Sequence, residues 1–373
     1  MSQWFNDAFR AEFDRQSELM GRFNLAIFGK TGVGKSTLIN AIFGEDVAAT
    51  GIGEPVTTGS HLYLDRRGQL GIVDTQGLEV GIDDKALLKD ATSMMKESRK
   101  KPIADQIHAA WYCVRGMDRR FEKSEAEFIG HLSKLGLPVL VVLTQVPRRG
   151  DDYHPDAVTL ARHIESLKLP IVGGRPFMTN ALRDQFTDQP AHGLTDVLQA
   201  TFRVAPEAVQ GALAATQQID LDLKAREAQK FIGASAAAAG AAAATPIPFS
   251  DATVLVPLQL AMMARIAQLY KLKFDRAAMM AVASTSAATV GGRMLVTNLL
   301  KFIPGAGTVA GGAISAGVAS TFTFTMGQAW LAVCQKAAGG KIPTLDGVMD
   351  AAAVREIFVA EFKKHAPSIR RKG

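Results

Sequence analysis

Up to about residue 224 the chain alternates short apolar runs with stretches of helical periodicity, the pattern of a β/α domain built on a parallel sheet. The apolar runs predict strands at 23–28, 61–64, 70–74, 109–114, 139–143 and 177–179. Helices fit between them at 35–43, 84–99, 123–135 and 155–167, and a closing helix starts within 193–200. Ahead of the first strand, Phe5, Phe9 and Phe13 recur four apart on one helical face. They predict a leading amphipathic helix packed on the first domain. Beyond residue 224, Ala, Gly, Ser and Thr dominate, and helix is the only regular structure that this composition suits. The expected organisation is a leading helix at 1–21, a Rossmann-like α/β domain with a mostly parallel sheet at 22–205, a helical linker at 206–230 and an all-α, Ala/Gly-rich domain at 231–373. A length of 373 residues agrees with two domains.

The helical part contains uncharged tracts at 231–250, 252–264, 277–292 and 302–335. Crossing a bilayer takes roughly 20 apolar residues in helix. The last tract is long enough, yet it opens with Pro304-Gly305-Ala306-Gly307 and stays rich in Gly. Small residues at close spacing allow tight helix packing in lipid and in a soluble bundle alike. Both readings therefore stand, and the expected location is the cytoplasm, with the inner face of the membrane as a second site. The pairs Met262-Met263 and Met279-Met280 read as core of that bundle.

The hydrophobic share is 47% and the charged share 21%, enough for a folded core, with a net charge of +6. That excess fits an anionic surface or a solvated one. The basic residues are dispersed without interleaved aromatics, so no nucleic-acid partner is expected. The only two cysteines, Cys113 and Cys334, lie far apart and give neither a disulfide framework nor zinc spacing. Residues 1–20 lack the pattern of a signal peptide. The histidines show no metal-ligand spacing with one another.

The chemistry concentrates in Gly29-Lys30-Thr31-Gly32-Val33-Gly34-Lys35-Ser36, an ungapped G-x-x-x-x-G-K-[ST] run between the first strand and the first helix. Glycines let the backbone wrap closely, so that its N–H groups converge on phosphate. The helix beginning at Lys35 points its positive end at the same place. In this pattern Lys35 reaches the β- and γ-phosphates, the Ser36 hydroxyl holds Mg²⁺, and Thr37 lies beside the α-phosphate. A second element, Asp74-Thr75-Gln76-Gly77, ends the apolar run at 70–74. A carboxylate there suits the water shell of Mg²⁺, and the Gly77 amide suits a γ-phosphate sensor. The third, Glu54-Pro55-Val56-Thr57-Thr58, is a loop in which a hydroxyl, Thr58 ahead of Thr57, would close over the metal.

With these motifs in place, residues 22 to about 200 resemble small bacterial GTPases of the Era and TrmE-like class, and in pattern the immunity-related and chloroplast import-receptor GTPases. Residues from about 225 resemble a helical domain of unknown function found behind such G domains, through Ala244-Thr245-Pro246-Ile247-Pro248, Pro257-Leu258-Gln259 and Ile303-Pro304-Gly305-Ala306-Gly307-Thr308. The resemblance implies binding of GTP and GDP with Mg²⁺, slow hydrolysis and switching, often near a membrane lipid; a homodimer mate or an activating partner is the further partner expected.

Three departures qualify it. The family reads guanine with Asn or Thr, then Lys, any residue and Asp, whereas this chain has Thr144-Gln145-Val146-Pro147. Thr144 fits, Gln145 replaces Lys, and Pro147 stands where Asp is expected, which leaves ATP as an alternative nucleotide. Asp151 and Asp152 are the nearest acidic substitutes. Thr179-Asn180-Ala181 resembles the loop whose backbone meets the guanine oxygen, through Asn180 and Ala181. Second, Leu78 follows Gly77 where Ras-like enzymes orient water with Gln. An interaction protein that scarcely turns nucleotide over is the alternative this motivates. Third, Gly32 takes the place of the P-loop Asn of potassium-dependent members. Arg119, Arg120, Arg148 and Arg149 follow strands at the phosphate end and are the candidate catalytic helpers.

Overall fold

The structure is a computed structural model describing residues 2–44, 54–57, 60–75, 84–185, 188–244, 250–272, 315–345 and 348–367. The chain forms two compact units, one comprising Met20–Asp220 and the other Met1–Leu19 with Leu221–Gly373.

The first unit is built on a seven-stranded sheet in the order β2-β3-β4-β1-β5-β6-β9. Its strands are β1 (Phe23–Phe28), β2 (Glu54–Thr57), β3 (Ser60–Leu64), β4 (Leu70–Thr75), β5 (Ala109–Arg115), β6 (Val139–Thr144) and β9 (Phe177–Met178). The short hairpin β7 (Arg148–Arg149) and β8 (Asp152–Tyr153) stands apart from the sheet. Strands β4, β1, β5, β6 and β9 run parallel, while β2 and β3 add an antiparallel edge. Every residue of β1 and β6 is buried. Such strands read as continuous apolar runs because helices cover both faces of the sheet.

Alternation along the strands assigns the faces. Ala26 and Phe28, Tyr112 and Val114, and Val141 and Leu143 pack with Met94, Met95, Phe128, Leu132 and Leu160. These come from α3 (Asp84–Arg99), α4 (Lys123–Lys134) and α5 (Pro155–Ser166). Trp111, one residue out of phase, stacks on Phe43 of α2 (Lys35–Phe43) at 6.0 Å and donates its indole N–H to Thr201 Oγ1 at 2.9 Å. Thr201 belongs to α6 (Leu194–Val204), which is followed by α7 (Glu207–Thr216).

Three expectations are corrected here. The leading helix α1 (Ser2–Leu19) belongs to the helical unit, where Arg265 Nη1 donates to Gln16 O at 3.0 Å and Gln268 Nε2 to Phe13 O at 2.9 Å. Its phenylalanine stripe signals an apolar surface to cover but does not say which surface covers it. The expected linker 206–230 does not exist as one element. Helix α7 packs on β1 and β4 in the first unit, and α8 (Leu221–Ala244) starts the second. The segment ahead of Thr58, expected as a loop, forms strand β2 through Thr57 because the β-branched Val56 and Thr57 suit an edge pairing with β3.

The helical unit combines α1 and α8 with α9 (Ser250–Leu269), α10 (Ala316–Ala338) and α11 (Ala351–His365). Helices α8 and α10 approach closely through small residues. A Cβ at Gly327 would lie 2.8 Å from Ile232 Cγ1 and 2.9 Å from Met262 Sδ. Trp330 is fully buried and donates to Met263 O at 2.8 Å, and Gln259 Nε2 meets Thr323 Oγ1 at 3.2 Å. Met262 and Met263 are core, as the sequence suggested. The tracts at 277–292 and 302–314 lie outside the described residues. Among the described residues no helix is long and apolar enough to cross a membrane.

Two outcomes follow. Gly327→Val should lower stability by about 1–3 kcal/mol through overpacking, whereas Gly233→Ala, on an exposed position with nothing within 4 Å of an added Cβ, should raise it by roughly 0.5–1 kcal/mol. Chemical denaturation of each variant measures both.

His108 gives a pH dependence. Its Nδ1 accepts from Asn24 N at 2.9 Å and its Nε2–H meets Ile103 O at 2.7 Å, so the ring sits buried and neutral. Burial lowers its pKa, against the two backbone hydrogen bonds, and nearby Arg22 lowers it further. A depressed imidazole contributes stability above its unfolded value near 6.5, lost as pH falls through the folded value. Melting temperature should therefore drop on acidification below about pH 6.5, and His108→Asn, which keeps an acceptor, should flatten that slope.

Candidate nucleotide site

Strand β1 lies at the centre of the parallel sheet, flanked by β4 and β5, and the chain leaves its carboxyl end directly into the loop 29–34. In open α/β sheets ligands bind at the carboxyl ends of strands at such a point. Gly29, Gly32 and Gly34 all take positive φ, at 131°, 80° and 94°. A Cβ on Gly29 would stand 2.2 Å from Cys113 O, so the loop can leave β1 only as bare backbone against β5. Val33 is buried beneath the loop, while Thr31, Gly32 and Ser36 are exposed. Lys30, Gly34, Lys35 and Thr37 are partly buried. Helix α2 starts at Lys35 with Gly34 as its N-cap and no side-chain cap, so its first N–H groups face outward without a protein acceptor from the cap residue.

Two cations organise the loop. Lys35 Nζ donates to Gly29 O at 2.8 Å and Lys30 O at 3.1 Å. Lys30 Nζ pairs with Glu122 at 2.8 Å and lies 4.0 Å from Glu125, on the first turn of α4. Burial alone would lower the Lys30 pKa, but Glu122, Glu125 and Asp118 outweigh it and raise it. Burial also dominates at Glu125, whose carboxyl is raised despite its capping bond from Glu122 N and the Tyr112 hydroxyl at 3.2 Å. Cys113, beneath Gly29, is pushed up to about 12 by burial, against the pull of Lys35, and is an inert thiol. The Lys30 tie was legible only as the Glu-x-x-Glu capping box at 122–125; the sequence reading missed it.

The segment after β6 braces the loop. Thr144 Oγ1 donates to Val33 O, and Gln145 Nε2 to Gly32 O at 3.2 Å. Gln145 adopts φ 53°, a left-handed turn that ends the strand. Val146 N then donates to Thr179 O at 3.0 Å, which sets Thr144 and Gln145 beside the Asn180 and Ala181 loop. Asn180 exchanges backbone hydrogen bonds with His192 at 3.1 and 2.9 Å. The buried His192 ring holds Val146 O through Nε2 at 3.0 Å. No local pattern in the sequence signals this role of His192. Pro147 opens the β7–β8 hairpin, which carries Arg148, Arg149 and Asp152, and Asp151 lies exposed at its turn. Arg119 is ion-paired with Asp156 of α5 at 2.6 Å.

Asp74, next to last in β4, is in register with Ile27 of β1, at the same carboxyl edge as the P-loop, and is exposed. Thus Gly29 to Thr37, Asp74, Thr144, Gln145, Asn180 and Ala181 all lie at one end of the sheet. Thr58, Gly77, Gln76 and Leu78 lie outside the described residues.

Residues 24–145 match the family described as 50S ribosome-binding GTPase, and residues 208–354 match a domain of unknown function, DUF697. The match to the GTPase family falls within the first unit, and the match to the domain of unknown function falls mostly within the helical unit. GTPase Der of Methylococcus capsulatus is 24% identical over 160 residues, covering 42% of this chain and 32% of the relative. GTPase Der of Thioalkalivibrio sulfidiphilus is 28% identical over 167 residues, covering 43% and 33%. The chain therefore spans about a third of the length of these curated relatives. Cell division control protein 10 of Saccharomyces cerevisiae is 24% identical over 147 residues, covering 32% of this chain and 46% of that protein. Among solved structures, a probable GTP-binding protein EngB aligns with TM-score 0.33 and 20% identity, covering 48% of this chain and 97% of that one. Era in complex with MgGDPNP and a 16S ribosomal RNA segment aligns with TM-score 0.33 and 16% identity, covering 57% and 67%.

The loop geometry is open to one direct test. Gly29→Ala should abolish measurable nucleotide binding and lower the melting temperature, because Cys113 O is backbone and cannot yield. Fluorescent-nucleotide titration beside thermal melting measures both.

Proposed function

We propose that this protein is a Mg²⁺-dependent, GTP-hydrolysing switch whose helical unit engages a membrane or a partner. The carrying observation is the three-glycine nest closed by Lys35 over an uncapped helix start, which matches the shape and charge of a triphosphate. An ammonium has three donors. Two hold the loop carbonyls, and the third is the one to meet the β- and γ-phosphates. The donor set for the metal is hard oxygen, the Ser36 hydroxyl and the Asp74 carboxylate, with Thr58 as the third candidate, and hard oxygens suit Mg²⁺. The ion would draw charge off the terminal phosphate. Lys35 would do the same from the loop, while the Gly77 amide would report the γ-phosphate to the segment after β4.

A path for the switch runs from the same helix. The C-terminal carbonyls of α2, Ile42 and Phe43, are taken by Gln218 through its backbone N at 2.9 Å and its Nε2 at 3.0 Å. The chain enters α8 at Leu221. A shift of the P-loop helix is thus handed to the residues that lead into the helical unit. Two buried cysteines without a partner sulfur suit a reducing cytoplasm, and the inner membrane face is the location this reading implies.

A second reading has two parts: ATP in place of GTP rests on Pro147 at the position of the base-reading carboxylate, and nucleotide binding with little turnover rests on Leu78 in place of a water-orienting Gln together with that missing carboxylate. Competition titration decides the base. GTP is expected to displace a fluorescent guanine nucleotide more tightly than ATP, and Pro147→Asp is expected to widen that preference by about tenfold or more, the value of a good hydrogen-bonded pair. Equal displacement by both nucleotides in the wild type would favour the second reading. Single-turnover hydrolysis with and without vesicles, and with Lys35→Ala as the inactive control, tests the enzymatic half.

A further inference from the structure

The helical unit contains a cleft of about 420 Å³ between α8, α10 and α11. Lys336, Lys341, Lys364 and His365 line it, against a single carboxylate, Glu361. Glu361 is largely buried and accepts from Lys336 Nζ and Lys364 Nζ, each at 3.3 Å, with His365 Nε2 at 3.7 Å. Burial would raise its carboxyl, but the two lysines hold it below its ordinary value, so it stays charged and orders them. One carboxylate cannot offset three ammonium groups, and the lining keeps a cationic surplus.

The bland reading is that these lysines merely serve helix ends, where cations suit the dipole. At α10 that role is already filled by backbone. Gly340, at φ 65°, turns the chain so that Gly340 N donates to Ala337 O at 3.0 Å and Lys341 N to Lys336 O at 2.8 Å. This paired closure satisfies the last carbonyls. It also returns Lys341 alongside Lys336, where Lys341 has no carboxylate partner among the described residues. The same cleft carries a reciprocal amide pair. Gln229 Nε2 donates to Gln328 Oε1 at 2.9 Å, and Gln328 Nε2 to Gln229 Oε1 at 2.6 Å. Each amide keeps one N–H and one lone pair to offer.

We propose that this cleft binds a phosphorylated polyol, with Lys336, Lys341 and Lys364 holding the phosphate and the Gln229–Gln328 pair meeting the hydroxyls. An inositol-type phospholipid headgroup has this chemistry, and so has a free sugar phosphate. The lipid source rests on the membrane reading above; the phosphate chemistry does not.

The test uses the full chain, as wild type, as Lys341→Gln with Lys364→Gln, and as Lys341→Arg, with thermal melts to show that each is folded. The probes are inositol phosphate, inorganic phosphate, and phosphatidylcholine vesicles with and without a minor share of phosphatidylinositol phosphate. Inositol phosphate should bind more tightly than inorganic phosphate. The double variant should lose about fivefold for each lysine removed, and Lys341→Arg should retain binding. Flotation only with phosphoinositide vesicles assigns the lipid source, and binding of the soluble probe without flotation assigns the free one; both support the cleft. Equal binding of inositol phosphate and inorganic phosphate, unchanged binding by the double variant, or no binding of any probe overturns it. Vesicle binding that survives the double variant would leave the membrane reading standing and remove the cleft from it. Nucleotide affinity should not differ between the variants and the wild type.

Discussion

The approach of the Gly29 backbone to the carbonyl of Cys113 is the constraint on which the nucleotide site rests. No side chain fits between them, since even a Cβ would sit 2.2 Å from that oxygen. Because β1 and β5 pair in parallel through Ile27 and Trp111, the loop must leave the sheet at this height and turn over β5. The positive φ at Gly32 and Gly34 then completes a turn that L side chains resist. The stack of Trp111 on Phe43 fixes the helix after the loop to the strand beside it. Sheet pairing, loop conformation and helix position are thus one constraint expressed at three levels.

The segment after β6 acts as a brace for the loop. Thr144 and Gln145 reach the carbonyls of Val33 and Gly32, and His192 holds the carbonyl of Val146 from behind. A net gain of about 0.5–1.5 kcal/mol for each such bond matters for a loop whose glycines are entropically costly to order. The amide of Gln145 does this at the position where the resemblance expects a lysine. Pro147 does not: it supplies no group for a base edge and instead starts a hairpin.

Much of this was legible in the sequence, and the reasons differ by element. The central strands were read closely because burial on both faces leaves uninterrupted apolar runs, as in Val139 to Leu143. Helices α3, α4 and α5 were read to within a residue or two because their apolar stripes face one sheet. The place of the glycine loop between β1 and α2 was legible because its glycines must adopt positive φ there. What escaped depended on distant pairing. Nothing local in Phe9 or Phe13 says that Arg265 and Gln268, some 250 positions away by sequence number, take the carbonyls of the leading helix. The Lys30–Glu122 pair and the grip of Gln218 on α2 escaped for the same reason.

The helical unit shows how a charge can be retained in such a fold. Arg265 is buried over the Phe231 ring at 4.5 Å, and burial brings its pKa down to about 10, only partly offset by Glu227. It remains a cation at neutral pH, and its Nη1 donates to Gln16 O. Lys224 is likewise buried and donates to Leu269 O at 2.6 Å, at the end of α9. Both side chains place positive charge against helix carbonyl ends, where the local field favours it. Small residues close the α8–α10 interface while long cations tie α1, α8 and α9. In the described helices, the Ala/Gly-rich composition that suggested lipid lets the α8 and α10 backbones come close, as at Gly327 against Ile232.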